Sequence, residues 1–149
     1  MQKKALVIID IQNDITKNYK DVIGNINKAI DWAVTHNIHV IYTRHENLSD
    51  GARVLKPNTY GSELAQDLKI VSENIFTKYK QNTLTSEAFT EFIRKNEICE
   101  CYLAGADATI CVKSTCYNLR KANYEVTVLS DCITSWDKKQ LHILPPIIT

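Results

Sequence analysis

The sequence predicts a three-layer α/β/α domain with a mostly parallel sheet and Rossmann-like crossovers. Two observations predict it. Short apolar runs rich in β-branched residues alternate with segments of helical periodicity along the chain. The first of these runs is apolar at every position, as in a strand buried on both faces of a parallel sheet. The length of 149 residues suits one domain spanning 1–149. Such a chain buries about 68–70% of its unfolded surface, enough for a core without staples.

The elements follow in order. Ala5–Ile9 is the first strand, and Ile23–Val34 is a helix with Ile23, Ile26, Ile30, Ala33 and Val34 on its apolar face. Trp32 lies on that helix as a packing residue. Ile38–Tyr42 is the second strand. Residues 45–61 carry Gly51, Pro57 and Gly61 among polar residues and read as a long loop, followed by a short helix over Ser62–Leu68. Asn74–Thr77 is a weak third strand. Thr85 and Ser86 are caps for a helix to about Lys95, with Ala88, Phe89, Phe92 and Ile93 inward. Ile98–Ala104 is the fourth strand, Thr109–Ala122 a helix and Glu125–Leu129 the fifth strand. Beyond Asp131, Pro145-Pro146 blocks a helix and Leu141–Leu144 allows one turn. Trp136 reads equally as lining a pocket or an interface.

Composition narrows the function classes. The hydrophobic fraction is 44%, the charged fraction 23% and the net charge +1, so no basic face is offered to nucleic acid. No apolar run approaches the ~20 residues that span a bilayer. The apolar run before Asp10 is too short for a signal-peptide core, so a cytosolic protein is expected. The five cysteines, an odd number without an export signal, argue against a disulfide framework. Cys99-Glu-Cys101 lacks a second pair or nearby His, which argues against zinc.

In open parallel sheets, ligands bind beyond the carboxyl ends of the strands. Past the five strands, in order, stand Asp10; Arg44, His45 and Glu46; Lys78; Gly105 to Cys111; and Asp131. An acid, a lysine and a cysteine therefore reach one edge of the sheet. Such a trio has a chemical use, because the thiolate is the nucleophile and an ordinary thiol is mostly protonated at neutral pH. The start of a helix and the Lys78 ammonium are expected to lower the Cys111 pKa. Asp10 would take the thiol proton and return it to a leaving group. Backbone N–H groups of the Gly105–Cys111 turn would stabilise an oxyanion.

These residues resemble the isochorismatase-like cysteine hydrolase family. VIIDIQNDI (Val7–Ile15) resembles its opening strand, and YTRHE (Tyr42–Glu46) its second strand end. Thr77-Lys78 followed by Asn82-Thr83-Leu84 is similar to its lysine motif, and that spacing selects Lys78 over Lys80. LAGADATICVKST (Leu103–Thr115) resembles its nucleophile turn and TVLSDC (Thr127–Cys132) its closing strand. The resemblance implies Asp10 as general base, Lys78 as thiolate stabiliser and Cys111 as nucleophile. It also implies a non-proline cis peptide between Ala106 and Asp107, aiming backbone N–H groups at the substrate carbonyl.

The sequence departs from the family pattern at several places. Ala108 stands where the family commonly has Thr, and Leu84 where an aromatic residue is usual. The stretch His45-Glu46-Asn47-Leu48-Ser49-Asp50 lacks the second His of the metal cluster found in the nicotinamidase branch, so no metal and no cofactor are expected. Family members usually run longer, so the domain is expected to be short at its C-terminus. The resulting sheet edge would be covered by the tail or by a partner, and a homo-oligomer is expected. Isochorismate-cleaving members lack the nucleophilic Cys, so Cys111 implies hydrolysis of a small amide or carbamoyl compound through a thioester.

Gln12, His45, Glu46 and Ala108 are further pocket candidates, with His45 and Glu46 reading equally as pocket wall or solvated loop. Cys99, Cys101 and Cys116 read as packing or surface thiols, while Cys132 is placed to border the pocket. The expected protein is an amidase-like hydrolase of non-peptide C–N bonds acting on a small molecule, with neither nucleic acid nor membrane as partner. Its rival is a catalytically inactive binding or scaffold protein on the same fold, motivated by the short C-terminus and Ala108. A receiver-type phosphoryl-transfer domain using Asp10 and Mg²⁺ is disfavoured because no Asp-x-Asp accompanies it.

Overall fold

A computed structural model describes residues 3–16 and 20–135. The expectations for Trp136, for Leu141–Leu144 and for the tail as an edge cover lie outside the described residues. Five strands, β1 (Lys4–Ile9), β2 (His39–His45), β3 (Ile75–Lys78), β4 (Glu100–Gly105) and β5 (Glu125–Ile133), form one sheet in the order β3-β2-β1-β4-β5. Every pairing is parallel. The helices are a single turn α1 (Asn13–Thr16), α2 (Ile23–Thr35), α3 (Glu87–Lys95) and α4 (Lys113–Lys121). Among the described residues no helix is long and apolar enough to cross a membrane.

The alternation of side chains along a strand explains the layers. Leu6 and Ile8 of β1 face the same cluster as Ile23, Ile26, Ile30 and Ala33 of α2. Ala5, Val7 and Ile9 face the opposite cluster, with Phe89 and Ile93 of α3 and Cys116 and Leu119 of α4. All five residues from Ala5 to Ile9 are fully buried, which accounts for their continuous apolar run. Each large aliphatic side chain so buried contributes about 1.5–3 kcal/mol. The Ser86 hydroxyl accepts the Phe89 N–H at 3.2 Å and starts α3 as its cap.

Several segments differ from the sequence reading. The helix expected over Ser62–Leu68 does not form, and residues 63–68 are not helical. A 3₁₀ turn covers Tyr60–Ser62, and Leu64 then bridges Gln12 in an antiparallel pair. The cause is tertiary: Glu63 O accepts from Asn13 N and Ala65 N donates to Ile11 O, so this backbone is satisfied by the turn after β1. β2 continues past Tyr42 through Thr43, Arg44 and His45, because β3 pairs with it as far as His45↔Lys78. β5 continues to Ile133 after a register shift that pairs Gly105 with Ile133, so Asp131 lies in the strand and not beyond it. Ala88 is exposed, and the inner face of α3 is formed by Phe89 and Ile93, with half-buried Phe92 packed against the same cluster. The segment expected as one helix from Thr109 opens with a π-helical turn, Ala108–Val112, before α4.

Strand order reverses on either side of β1. β2 and β3 lie to one side and β4 and β5 to the other, so the crevice above the ends of β1 and β4 is the topological switch point of the sheet. Gly105 closes β4 at φ 123°, where a Cβ would collide with the backbone of Ile9. Gly105→Ala is therefore expected to lower the unfolding free energy by more than about 1 kcal/mol, measured by urea denaturation. An unchanged midpoint would contradict this packing.

Candidate active site

The site grows from three strand ends. Asp10 follows β1 with φ 55°, a left-handed conformation in which Asp is enriched among non-glycine residues. It is 1% exposed. Its N–H reaches Thr43 Oγ1 at 3.2 Å, and that hydroxyl donates to Asp10 Oδ1 at 2.8 Å. The other carboxylate oxygen, Oδ2, takes a hydrogen bond from Lys78 Nζ at 3.0 Å. The side chains of this ion pair are 0% and 2% exposed.

Lys78 ends β3 and His45 ends β2, and the two residues are register partners. The ammonium nitrogen also lies 3.1 Å from His45 Nδ1, 3.0 Å from Lys80 O and 3.6 Å from Cys111 Sγ, sharing its three protons among these and Asp10. Burial, and secondarily the Lys78 charge, hold the His45 imidazole below the ordinary histidine range. Atoms of Asp10, His45 and Cys111 all lie within 4.8 Å of one another, a spacing that suits a metal ion. The Lys78 ammonium reaches all of them, and supplies a positive charge where a cation would otherwise be held.

Cys111 stands in the π-helical turn and is partly buried. The expected lowering of its pKa is overturned. Burial first, and then the Asp10 carboxylate, push the thiol up to about 12 against the opposing pull of Lys78. The ammonium is already matched by Asp10, so the sulfur faces a neutralised pair.

The turn that carries Cys111 is clamped at both ends. Ala106 N donates to Ile9 O at 2.9 Å, Ala108 N to Thr134 O at 2.8 Å and Thr134 N to Gly105 O at 3.2 Å. The peptide between Ala106 and Asp107 is cis. Asp107 Oδ1 accepts from Thr109 N and Thr109 Oγ1, both at 2.9 Å, and starts the helical turn.

A cavity of about 360 Å³ opens over these groups. Asp10, His45, Ala106, Asp107 and Cys111 line it, together with aliphatic Ile15, Leu55 and Ile110 and the amide of Gln81. The lining does not include Gln12, Glu46 or Ala108. Gln12 is a fully buried bracket: its Nε2 donates to His45 O at 2.9 Å and Ser62 O at 2.8 Å, and its Oε1 accepts from His45 N at 2.8 Å. Glu46 pairs with Arg44 at 3.4 Å. Ala108 is buried in the core under α3 and α4. Lys80 contributes its carbonyl and not its amine. Cys132 and Asp131 border a different groove, of about 520 Å³, beside Trp32 and Tyr102. Sequence reasoning missed Thr43, whose signal was a polar residue continuing an apolar strand. It also missed Leu55 and Gln81, which stand in loops, and Ile15 and Ile110, which stand in short helical turns.

Comparison with known proteins places the chain in a family. The isochorismatase domain model matches residues 4–143. The chain is similar to isochorismatase family protein 2A of Dictyostelium discoideum, at 28% identity over 141 residues, covering 91% of this chain and 68% of that protein. It is also similar to isochorismatase family protein YddQ of Bacillus subtilis, at 25% identity, covering 95% of this chain and 83% of that one. The fold resembles that of an isochorismatase-like hydrolase from Alkaliphilus metalliredigens, with TM-score 0.85, 19% identity and coverage of 94% and 87%. It likewise resembles N-carbamoylsarcosine amidase from Thermoplasma acidophilum, with TM-score 0.82, 22% identity and coverage of 96% and 90%.

The buried pair makes a stability prediction. Lys78→Met leaves the Asp10 carboxylate without its cation and is expected to cost about 3–5 kcal/mol. Adding Asp10→Asn removes the stranded charge, so the double variant is expected to lose less than the sum of the single losses. Urea unfolding of the four proteins at neutral pH measures the coupling, and strictly additive losses would contradict it.

Proposed function

The chain belongs to the isochorismatase domain family, and from that premise we propose that it is a cysteine hydrolase cleaving a small amide or carbamoyl substrate. The observation that carries this reading is one ammonium, Lys78 Nζ, within reach of both a carboxylate and a thiol, at 3.0 Å and 3.6 Å. Asp10 takes the proton from Cys111, and Lys78 turns to the thiolate. The sulfur attacks the substrate carbonyl, whose oxygen becomes an oxyanion facing backbone N–H groups of the 105–111 turn. The C–N bond then breaks, and the nitrogen leaves with the proton from Asp10. Water, deprotonated by Asp10, attacks the thioester and releases the acid and the thiol.

The cavity also bears on the substrate. Its described lining is aliphatic at Ile15, Leu55 and Ile110, and burial holds His45 below the ordinary histidine range. Lys78, the cation beneath it, is committed to Asp10 and its other acceptors. This favours a neutral primary amide or urea with an apolar substituent over a carboxylate-bearing one, because an anion would meet Asp10 and Asp107 with no cation among the described lining residues. The rival reading, an inactive binding protein, draws on the thiol held at about 12.

Ammonia release from a panel of neutral aliphatic and aromatic amides, ureas and N-carbamoyl amino acids separates the two. Turnover is expected on the neutral compounds, with Cys111→Ala losing about 10³-fold or more and a thioester on Cys111 trapped by acid quench and mass spectrometry. Full turnover by Cys111→Ala would overturn the mechanism. A preference for the N-carbamoyl acids would overturn the substrate assignment alone.

A further inference from the structure

Lys78 has more acceptors than protons. Asp10 Oδ2 stands at 3.0 Å, Lys80 O at 3.0 Å, His45 Nδ1 at 3.1 Å and Cys111 Sγ at 3.6 Å. An ammonium donates three hydrogen bonds. Lys78 therefore leaves one of these four without one of its own protons at any moment, and the longest contact is the sulfur. Because Lys78 can only donate, His45 Nδ1 is the accepting nitrogen and the ring proton sits on Nε2. The same nitrogen is thereby engaged, so Asp10 and not His45 is left to take the thiol proton.

We propose that His45 is a positioning residue that competes with Cys111 for the third proton of Lys78, restraining the sulfur as a thiol while the site is empty. The inference rests on the function proposed above, in which Lys78 is the partner of the thiolate. Activation then has two balanced parts. The S–H proton passes to the Asp10 carboxylate, and one Lys78 N–H turns from His45 Nδ1 to the sulfur. The net charge of the cluster does not change. Among the described residues the titratable groups around the sulfur are Asp10 after β1, His45 of β2 and Lys78 of β3, with Asp107 of the turn after β4 lining the same cavity. Alkylation and oxidation both proceed through the thiolate, so His45 keeps the empty site chemically quiet.

Iodoacetamide alkylation of Cys111, followed by peptide mass spectrometry across pH, tests this in the full chain. His45→Ala and His45→Phe, which remove the acceptor, are expected to shift the rate profile down by about one pH unit, making alkylation about tenfold faster at neutral pH. His45→Gln, whose amide oxygen can still accept, is expected to track the wild type. A purely structural role would move Gln and Ala together. An unchanged or upward-shifted profile in the folded Ala and Phe variants overturns the inference. Where Phe fails to fold, Ala against Gln decides, with folding verified by circular dichroism. Lys78→Met is the control for the underlying reading and is expected to slow alkylation. If it changes nothing, the proposed function fails. If it acts and the His45 variants do not, only the restraint fails.

Discussion

A buried ammonium governs this end of the sheet. Lys78 and Asp10 are almost entirely withdrawn from water. A pair so placed recovers its desolvation penalty only if the geometry is good and the remaining protons and lone pairs are matched. Here they are matched. Asp10 Oδ1 takes the Thr43 hydroxyl, and Lys78 hands its other protons to Lys80 O and His45 Nδ1. That network needs the ends of β1, β2 and β3 level with one another. The registers Ile9↔Thr43 and His45↔Lys78 supply that alignment. Gln12 then ties His45 to Ser62 from behind and fixes the end of β2.

Cys111 reaches the ammonium from the other side of the switch point. Its turn is held between β1 and β5, through Ile9 O on one flank and Thr134 on the other. Gly105 makes the close approach to Ile9 possible, and Asp107 stops the turn from unwinding by capping Thr109. The crevice thus owes its chemistry to strand order: the reversal at β1 opens the space, and neighbouring strand ends deliver an acid and a cation into it. The larger groove beside Trp32 lies off this crevice, and none of Asp10, Lys78 and Cys111 is in its described lining. Size alone does not mark the site.

Much of this was legible in the residues. A run buried at every position announces β1, and the Ser86 cap announces α3. Asp10, Lys78 and Cys111 were readable as strand-end residues because a parallel sheet collects such ends on one side. The boundaries failed where tertiary pairing outweighs local pattern. Thr43, Arg44 and His45 are polar, yet they extend β2 because β3 offers them a partner. Ser130 and Asp131 are exposed, yet they lie within β5. Residues 62–68 have helical spacing but find their hydrogen bonds on the turn after β1. Gln12 could be seen as a polar residue near the site, but its inward bracketing role depends on a loop that sequence does not place.

The direction of the Cys111 shift was misread for a reason that illuminates the chemistry. A lysine near a thiol lowers its pKa when the charge is unmatched. Asp10 matches it first, and the carboxylate then opposes a second anion at the sulfur. A preformed thiolate would place two negative charges on one cation in a dry site. Transferring the proton to Asp10 avoids this, because the acid becomes neutral as the sulfur becomes charged, and Lys78 always faces one anion. The carboxylate that raises the thiol is thus the group that can accept its proton. In the hydrolysis proposed above, the barrier would fall when the proton moves as the carbonyl is attacked, with the developing charge carried onward to the oxyanion turn. A high resting pKa in this site therefore fits a nucleophile activated during the reaction.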